Sequence, residues 1–329
     1  MRVRAVGALL VTAVGSMLAG LLVGAFVVAP ALDTTGHSVA STPPPTASPS
    51  PIALATPSPT PVPTPKPSPK PTFPPSAPGQ VPVLYYHRVE PEPAGFATWA
   101  TDQRQTFMAY NVLPNAFEAQ LDWLQANGYR TILPRDLAAH WDKGKKLPAR
   151  PVILTFDDGS PDWVSVVVPA LQRHHMVAEF YVVIDNIGQG VTWDDVKAMA
   201  KAGMGIGAHD VHHVQLTGFG GNGLPASWQT MWYEVDQARE IIRQNTGVAP
   251  DSMAYVGGGF DATLEQIVQQ AGYTTARSIL RGTLQSQDLR YELRVSRIGG
   301  YDDVKSVLTQ DLVPGLPTFV KRMSGQDPG

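Results

Sequence analysis

Apolar and polar positions along this 329-residue chain fall into three regimes. From Ala5 to Leu32 the run is largely apolar and uncharged, behind a positive flank of Arg2 and Arg4. It exceeds the ~20 residues a helix needs to cross a bilayer, and also the core of about 7–15 in a cleaved signal. Ala29-Pro30-Ala31 is a poor cleavage site because of Pro30. Residues 1–36 are therefore expected to form an uncleaved membrane anchor with a cytoplasmic N-terminus. Cleavage would instead secrete the chain, and export is expected either way. Residues 37–79 are dominated by Pro, Thr, Ser and Ala, which bury no core and read as a disordered, extended stalk.

Residues 80–329 change to short apolar runs separated by helical periodicity. The runs 81–87, 129–133, 151–156, 178–184, 205–208, 252–256, 273–280 and 293–298 predict strands. Between them, Asn115 with Glu118 three residues on predicts a capped helix whose Phe117, Leu121 and Leu124 share a face. Helices are also expected over 134–141, 161–174, 227–246 and 261–271, with a further one capped by Thr192 and Asp195 and closed at Gly203. This alternation predicts parallel βα units. Their number and length predict an α/β fold, a distorted (β/α) barrel of about seven parallel strands.

Composition narrows the chemistry. The chain has no Cys, which excludes disulfides and thiolate ligands even in an exported protein. A net charge of −3 makes no electrostatic case for nucleic acid.

Candidate chemistry stands at two strand ends. The run Val152 to Phe156 opens into Asp157-Asp158-Gly159. Adjacent carboxylates repel, so a metal ion or a shared proton would explain them, although Asp and Gly also serve as turn and cap residues. About fifty residues on, His209-Asp210-Val211-His212-His213 places two His four apart. Two His and one carboxylate hold a transition metal with positions left open for water and substrate. The same motif echoes the metalloprotease pattern His-Glu-x-x-His. Gly205 and Gly207 just upstream are poor for the long helix that pattern needs, and Asp is shorter than Glu.

With these residues the chain resembles the polysaccharide deacetylases, carbohydrate esterase family four, and most of all the branch acting on poly-N-acetylglucosamine. The landmarks are Pro82 to Val89, Gly128-Tyr129, Thr155 to Gly159, Thr192-Trp193, Ala202-Gly203, the His motif and Ala271-Gly272-Tyr273. They span nearly all of residues 80–300. The resemblance implies that Asp157 is the general base, that Asp158, His209 and His213 bind a divalent metal, and that His87 is the general acid. No His follows His213, so an acid from the C-terminal part is excluded. The cation is expected to be zinc before cobalt, nickel or iron. Tyr255 and Gly257 fall in the loop expected to bind the oxyanion and substrate.

This sequence departs from that pattern. Tyr255-Val256-Gly257-Gly258-Gly259 stands where Tyr-Pro-Tyr-Gly is usual, and Asp210 replaces a Ser or Thr. Asp210 is expected to add negative charge beside the ion or to point to solvent. The arginine that orients the base is absent from its usual loop, leaving Arg277, Arg294 and Arg297 as candidates. The implied activity is hydrolysis of N-acetyl groups on an extracellular N-acetylglucosamine glycan by a monomer at the outer membrane face. A peptidoglycan deacetylase and an inactive wall-binding protein are the alternatives. Substrate-specifying loops are expected over 90–111 and 218–228, and Trp99, Trp228 and Trp232 are candidates for sugar stacking.

Overall fold

Among the described residues of the computed structural model, eight strands form in the order the apolar runs predict, and all of them pair in parallel. The structure describes residues 79–218 and 224–311. The expected anchor over 1–36 and the stalk up to residue 78 lie outside the described residues. Among the described residues, no helix is long and apolar enough to cross a membrane.

The strands are β1 Val83–Tyr86, β2 Arg130–Thr131, β3 Pro151–Asp157, β4 Glu179–Val182, β5 Gly205–Ala208, β6 Ser252–Ala254, β7 Thr275–Arg281 and β8 Leu293–Arg297. Their order is β1-β8-β7-β6-β5-β4-β3, and β1 pairs back onto β3 from Val83↔Ile153 to Tyr86↔Phe156. That pairing closes a barrel of seven parallel strands, as the alternation predicts. The short β2 lies outside the ring, paired with the start of β3 at Arg130↔Pro151.

The helices are α1 Thr101–Tyr110, α2 Pro114–Ala126, α3 Pro134–Lys143, α4 Val168–Arg173, α5 Trp193–Lys201, α6 Trp228–Trp232, α7 Ala238–Thr246, α8 Ala262–Gln270 and α9 Val304–Asp311. Helix α5 carries the expected cap, with Thr192 Oγ1 accepting from Asp195 N and Asp195 returning the bond to Thr192 N. Asn115 is not the cap of α2. Leu113 holds that place, with Pro114 pre-set at the first helical position. A helix also forms in the expected loop 90–111, namely α1. Widened π turns at Trp163–Val167 and Tyr233–Gln237 continue directly into α4 and α7.

Strand alternation sorts side chains onto two faces. Leu84, Tyr86, Leu154, Phe156, Phe180 and Val182 face outward into the main core beneath the helices. Phe156 stacks between Tyr86 at 5.1 Å and Phe180 at 5.2 Å. Val83, Tyr85, Ile153 and Val295 face inward and form a second cluster. On the same alternation, Thr155, Asp157, Glu179, Tyr181 and Arg277 point into the barrel. The interior is therefore polar toward its C-terminal rim, where ligands collect in parallel barrels.

Candidate active site

Asp157, Asp158, His209 and His213 converge on that rim. One donor atom each from Asp158, His209 and His213 lies within 4.8 Å of the others. Asp158 Oδ1 is 3.6 Å from His209 Nε2 and 3.3 Å from His213 Nε2. His209 is buried, and its Nδ1 meets the Ala254 carbonyl at 2.7 Å. A carbonyl only accepts, so Nδ1 carries the proton and the Nε2 lone pair faces the carboxylates. Burial lowers the His209 pKa, which keeps that lone pair free. Burial alone would raise Asp158, but His213, His209 and His87 outweigh it and hold the carboxylate at about 2. His213 is pulled the other way by its bond to Asp158. An ionised carboxylate and two imidazole nitrogens aimed at one point suit a divalent cation.

Backbone strain marks the same place. Among the described residues, four that are not glycine take positive φ: Asp158 (83°), His175 (54°), Asp210 (62°) and His213 (55°). Three of the four belong to the site, where left-handed turns aim the ligands inward at a cost of order 1 kcal/mol each. The segment from His209 to His213 is irregular rather than helical, which removes the metalloprotease geometry.

Asp157 is held differently. Its Oδ2 accepts from Arg277 Nη2, and both side chains are buried. Its Oδ1 is buried without a hydrogen-bond partner, so one carboxylate oxygen is left for a ligand. Of the three candidate arginines, Arg277 reaches Asp157. Its guanidinium lies 4.4 Å over the Tyr85 ring and 5.3 Å over Tyr181, inside the barrel. Arg294 packs against Gly282, and Arg297 donates to the Ala109 carbonyl while lying 4.5 Å over Tyr110.

His87 follows β1. Its Nε2 is 3.1 Å from the Tyr85 hydroxyl, its carbonyl accepts from Trp163 Nε1, and its ring meets the edge of Tyr110 at 4.8 Å. Burial lowers His87 to about 4, against the upward pull of Asp157 and Asp158. Tyr85 was not singled out from sequence. The signal was present, because residues two apart on a strand share a face.

In the glycine loop, Gly257 and Gly258 take φ of 63° and 77°. A Cβ on Gly257 would lie 2.1 Å from Gln215 Nε2, and one on Gly258 would lie 2.2 Å from Ile279 Cγ1. Backbone shape and space both demand glycine at these two positions. Tyr255 is buried and stacks on Phe260 at 5.4 Å.

Asp210 departs from expectation. It is only 1% exposed, so it does not point to solvent, and neither carboxyl oxygen has a partner. Burial, aided by the nearby Glu234 charge, pushes its pKa well above the usual carboxylate value. Glu234, also missed, accepts from Val211 N, His212 N and His212 Nδ1 and so anchors the loop between the two His ligands. His212 turns away from the cluster. Trp228 and Trp232 stack on each other at 5.5 Å, and Trp99 packs on Phe96 and Phe107.

A parallel barrel carries these groups on its rim, and comparison with known proteins finds similar chains. Residues 144–276 of the chain match the polysaccharide deacetylase family model. It is 29% identical over 223 residues to YxkH of Bacillus subtilis (strain 168), spanning 67% of this chain and 72% of that one. It is 21% identical over 202 residues to a poly-β-1,6-N-acetyl-D-glucosamine N-deacetylase of Staphylococcus aureus, spanning 57% and 68%. The Streptococcus pyogenes deacetylase PplD shares the fold with a TM-score of 0.63 at 21% identity, over 72% of this chain and all of that one. IcaB from Ammonifex degensii does so with a TM-score of 0.57 at 20% identity, over 71% and 96%.

Proposed function

We propose that this protein is an extracellular, metal-dependent N-deacetylase that releases acetate from N-acetylglucosamine units of a polysaccharide. One observation carries the reading. A cation cradle of Asp158, His209 and His213 adjoins Asp157, a buried carboxylate with its own arginine and one unpartnered oxygen. Metal-assisted amide hydrolysis uses those two elements side by side. The named activity of the Staphylococcus aureus relative supports the N-acetylglucosamine polymer as substrate.

A divalent cation bound there, zinc above all, supplies positive charge that polarises the acetyl carbonyl and acidifies water. Asp157 takes the proton of the attacking water through its free oxygen, while Arg277 fixes the carboxylate in place. Backbone N–H groups near Gly257 help hold the oxyanion. The free site keeps His87 neutral at neutral pH. As the oxyanion forms nearby, the His87 imidazole takes up a proton from solvent and passes it to the departing nitrogen as the C–N bond breaks. Acetate and a free amine result.

Acetate release by the full chain from N-acetylglucosamine oligomers tests the proposal. Release with added zinc that stops with chelator is expected. A folded, zinc-loaded protein that releases none from these oligomers or from isolated cell wall would leave a glycan-binding role instead.

A further inference from the structure

The two ring nitrogens of His87 are treated unequally. Nε2 lies 3.1 Å from the Tyr85 hydroxyl, whereas Nδ1 has no hydrogen-bond partner among the described residues. Tyr85 stands two residues earlier on β1, opposite Thr155 of β3, and shares the inward face with His87. Tyr86 between them turns outward, where its hydroxyl donates to Gln120 Oε1. The Tyr85 ring is itself pinned, being 8% exposed with the Arg277 guanidinium 4.4 Å over it. That guanidinium also donates to Asp157. One column of contacts therefore runs from Asp157 through Arg277 and Tyr85 to His87.

We propose that Tyr85 is a positioning residue for His87: its hydroxyl oxygen accepts from Nε2 and so reserves Nδ1 for the transferred proton. The proposal rests on the deacetylase reading above. A neutral imidazole has one N–H, and only Nε2 has an oxygen to receive it, so the tautomer is set by Tyr85. Burial raises the Tyr85 pKa, so the phenol stays protonated and its oxygen remains an uncharged acceptor.

The proton then comes and goes at one nitrogen. Uptake from solvent forms Nδ1–H, and the same bond breaks as the departing nitrogen takes that hydrogen. The Nε2–H bond to Tyr85 persists through both steps, so the ring keeps one orientation from neutral to charged and back. Trp163 Nε1 on the His87 carbonyl and the edge contact with Tyr110 restrain what rotation is left.

Kinetics and ring-nitrogen NMR on the full chain with zinc test this. Tyr85→Phe removes the hydroxyl and keeps the ring under Arg277. Its kcat for acetate release from N-acetylglucosamine oligomers should fall by about tenfold, with KM and zinc content unchanged. In a His87→Gln background the same substitution should take nothing more from the residual activity, because it acts through His87. Histidine ring signals, with those of His87 assigned by their loss in His87→Gln, should show the neutral Nε2–H form. Tyr85→Phe should move them toward a mixture of tautomers. An unchanged kcat, an equal fall in both backgrounds, or a neutral Nδ1–H form in the wild type would each overturn the proposal. A wild-type protein that releases no acetate would sink the deacetylase reading, and the ring signals alone would then decide whether Tyr85 fixes His87.

Discussion

Two buried carboxylates lie one layer apart inside the barrel and are treated in opposite ways. Asp157 stands level with Tyr181, while Glu179 pairs with Thr155 and Gly205 one inward position below. Asp157 receives the Arg277 guanidinium, itself held between two tyrosine rings. Glu179 forms no ion pair among the described residues, and burial pushes its pKa up to about 8 despite Arg135 nearby. Gly205 leaves room for it, since a Cβ there would lie 1.7 Å from Glu179 Oε2. A buried charge without a partner is costly, and the cheaper solution is a neutral acid. The fold therefore supplies a counter-charge where a charged base is wanted and withholds it where the carboxyl only fills space.

Removing the charged member should have the largest effect. Asp157→Asn keeps the shape and the cation cradle but cannot accept the proton, so acetate release should fall by about 10³-fold with zinc content unchanged. Full activity in that variant would remove Asp157 from the mechanism. The next test turns Asp157 into a second Glu179. Arg277→Met leaves the carboxylate buried and alone, which should cost about 3–5 kcal/mol of stability in a urea titration. Unchanged stability would mean that Arg277 is not the counter-charge proposed here.

The contrast was only partly visible in the sequence. Strand positions were legible because each buried strand leaves an apolar run, and the DDG and HDVHH segments were legible as chemistry because they follow such runs. Arg277 could not be separated from Arg294 and Arg297, since which face of a strand turns inward depends on pairing with its neighbours. Helix α1 was read as loop because its sequence Thr101 to Thr106 is polar throughout, and Met108 is its one buried residue. The left-handed turns at Asp158, Asp210 and His213 leave no signal, because these residues are not glycine. Asp210 was misjudged for a related reason. Its neighbours in the chain are ligands, whereas its carboxyl faces the core.

Glu179 offers a smaller effect with a definite sign. Burial raises its pKa to about 8 in the folded protein, above the ordinary 4.5 of a glutamate. Its contribution to stability is therefore fully present below pH 4.5 and is lost as pH rises through 8. Glu179→Gln stays neutral throughout. The variant should match the wild type at low pH and exceed it by on the order of 5 kcal/mol at pH 9. Urea midpoints measured across that range decide the matter. Parallel curves for the two proteins would show that Glu179 is not the neutral acid inferred from its burial.

Asp210 should respond least, and that makes it the sharpest check on the comparison. Like Glu179 it is a buried acid with its pKa pushed up; its own two oxygens have no hydrogen-bond partner, and it sits next to a cation ligand. If position beside the ion decided its state, Asp210→Asn would remove a charge and weaken zinc binding strongly. If burial decides, Asn replaces one neutral group with another of the same shape. Asn also tolerates the left-handed φ of 62° that this position requires. Stability should then change by less than about 1 kcal/mol, and a zinc titration should shift by less than about tenfold. A large loss of zinc affinity would show that Asp210 acts as an anion at the site. It would then belong with Asp157, and the division between charged and neutral carboxyls would have to be redrawn along the rim of the barrel.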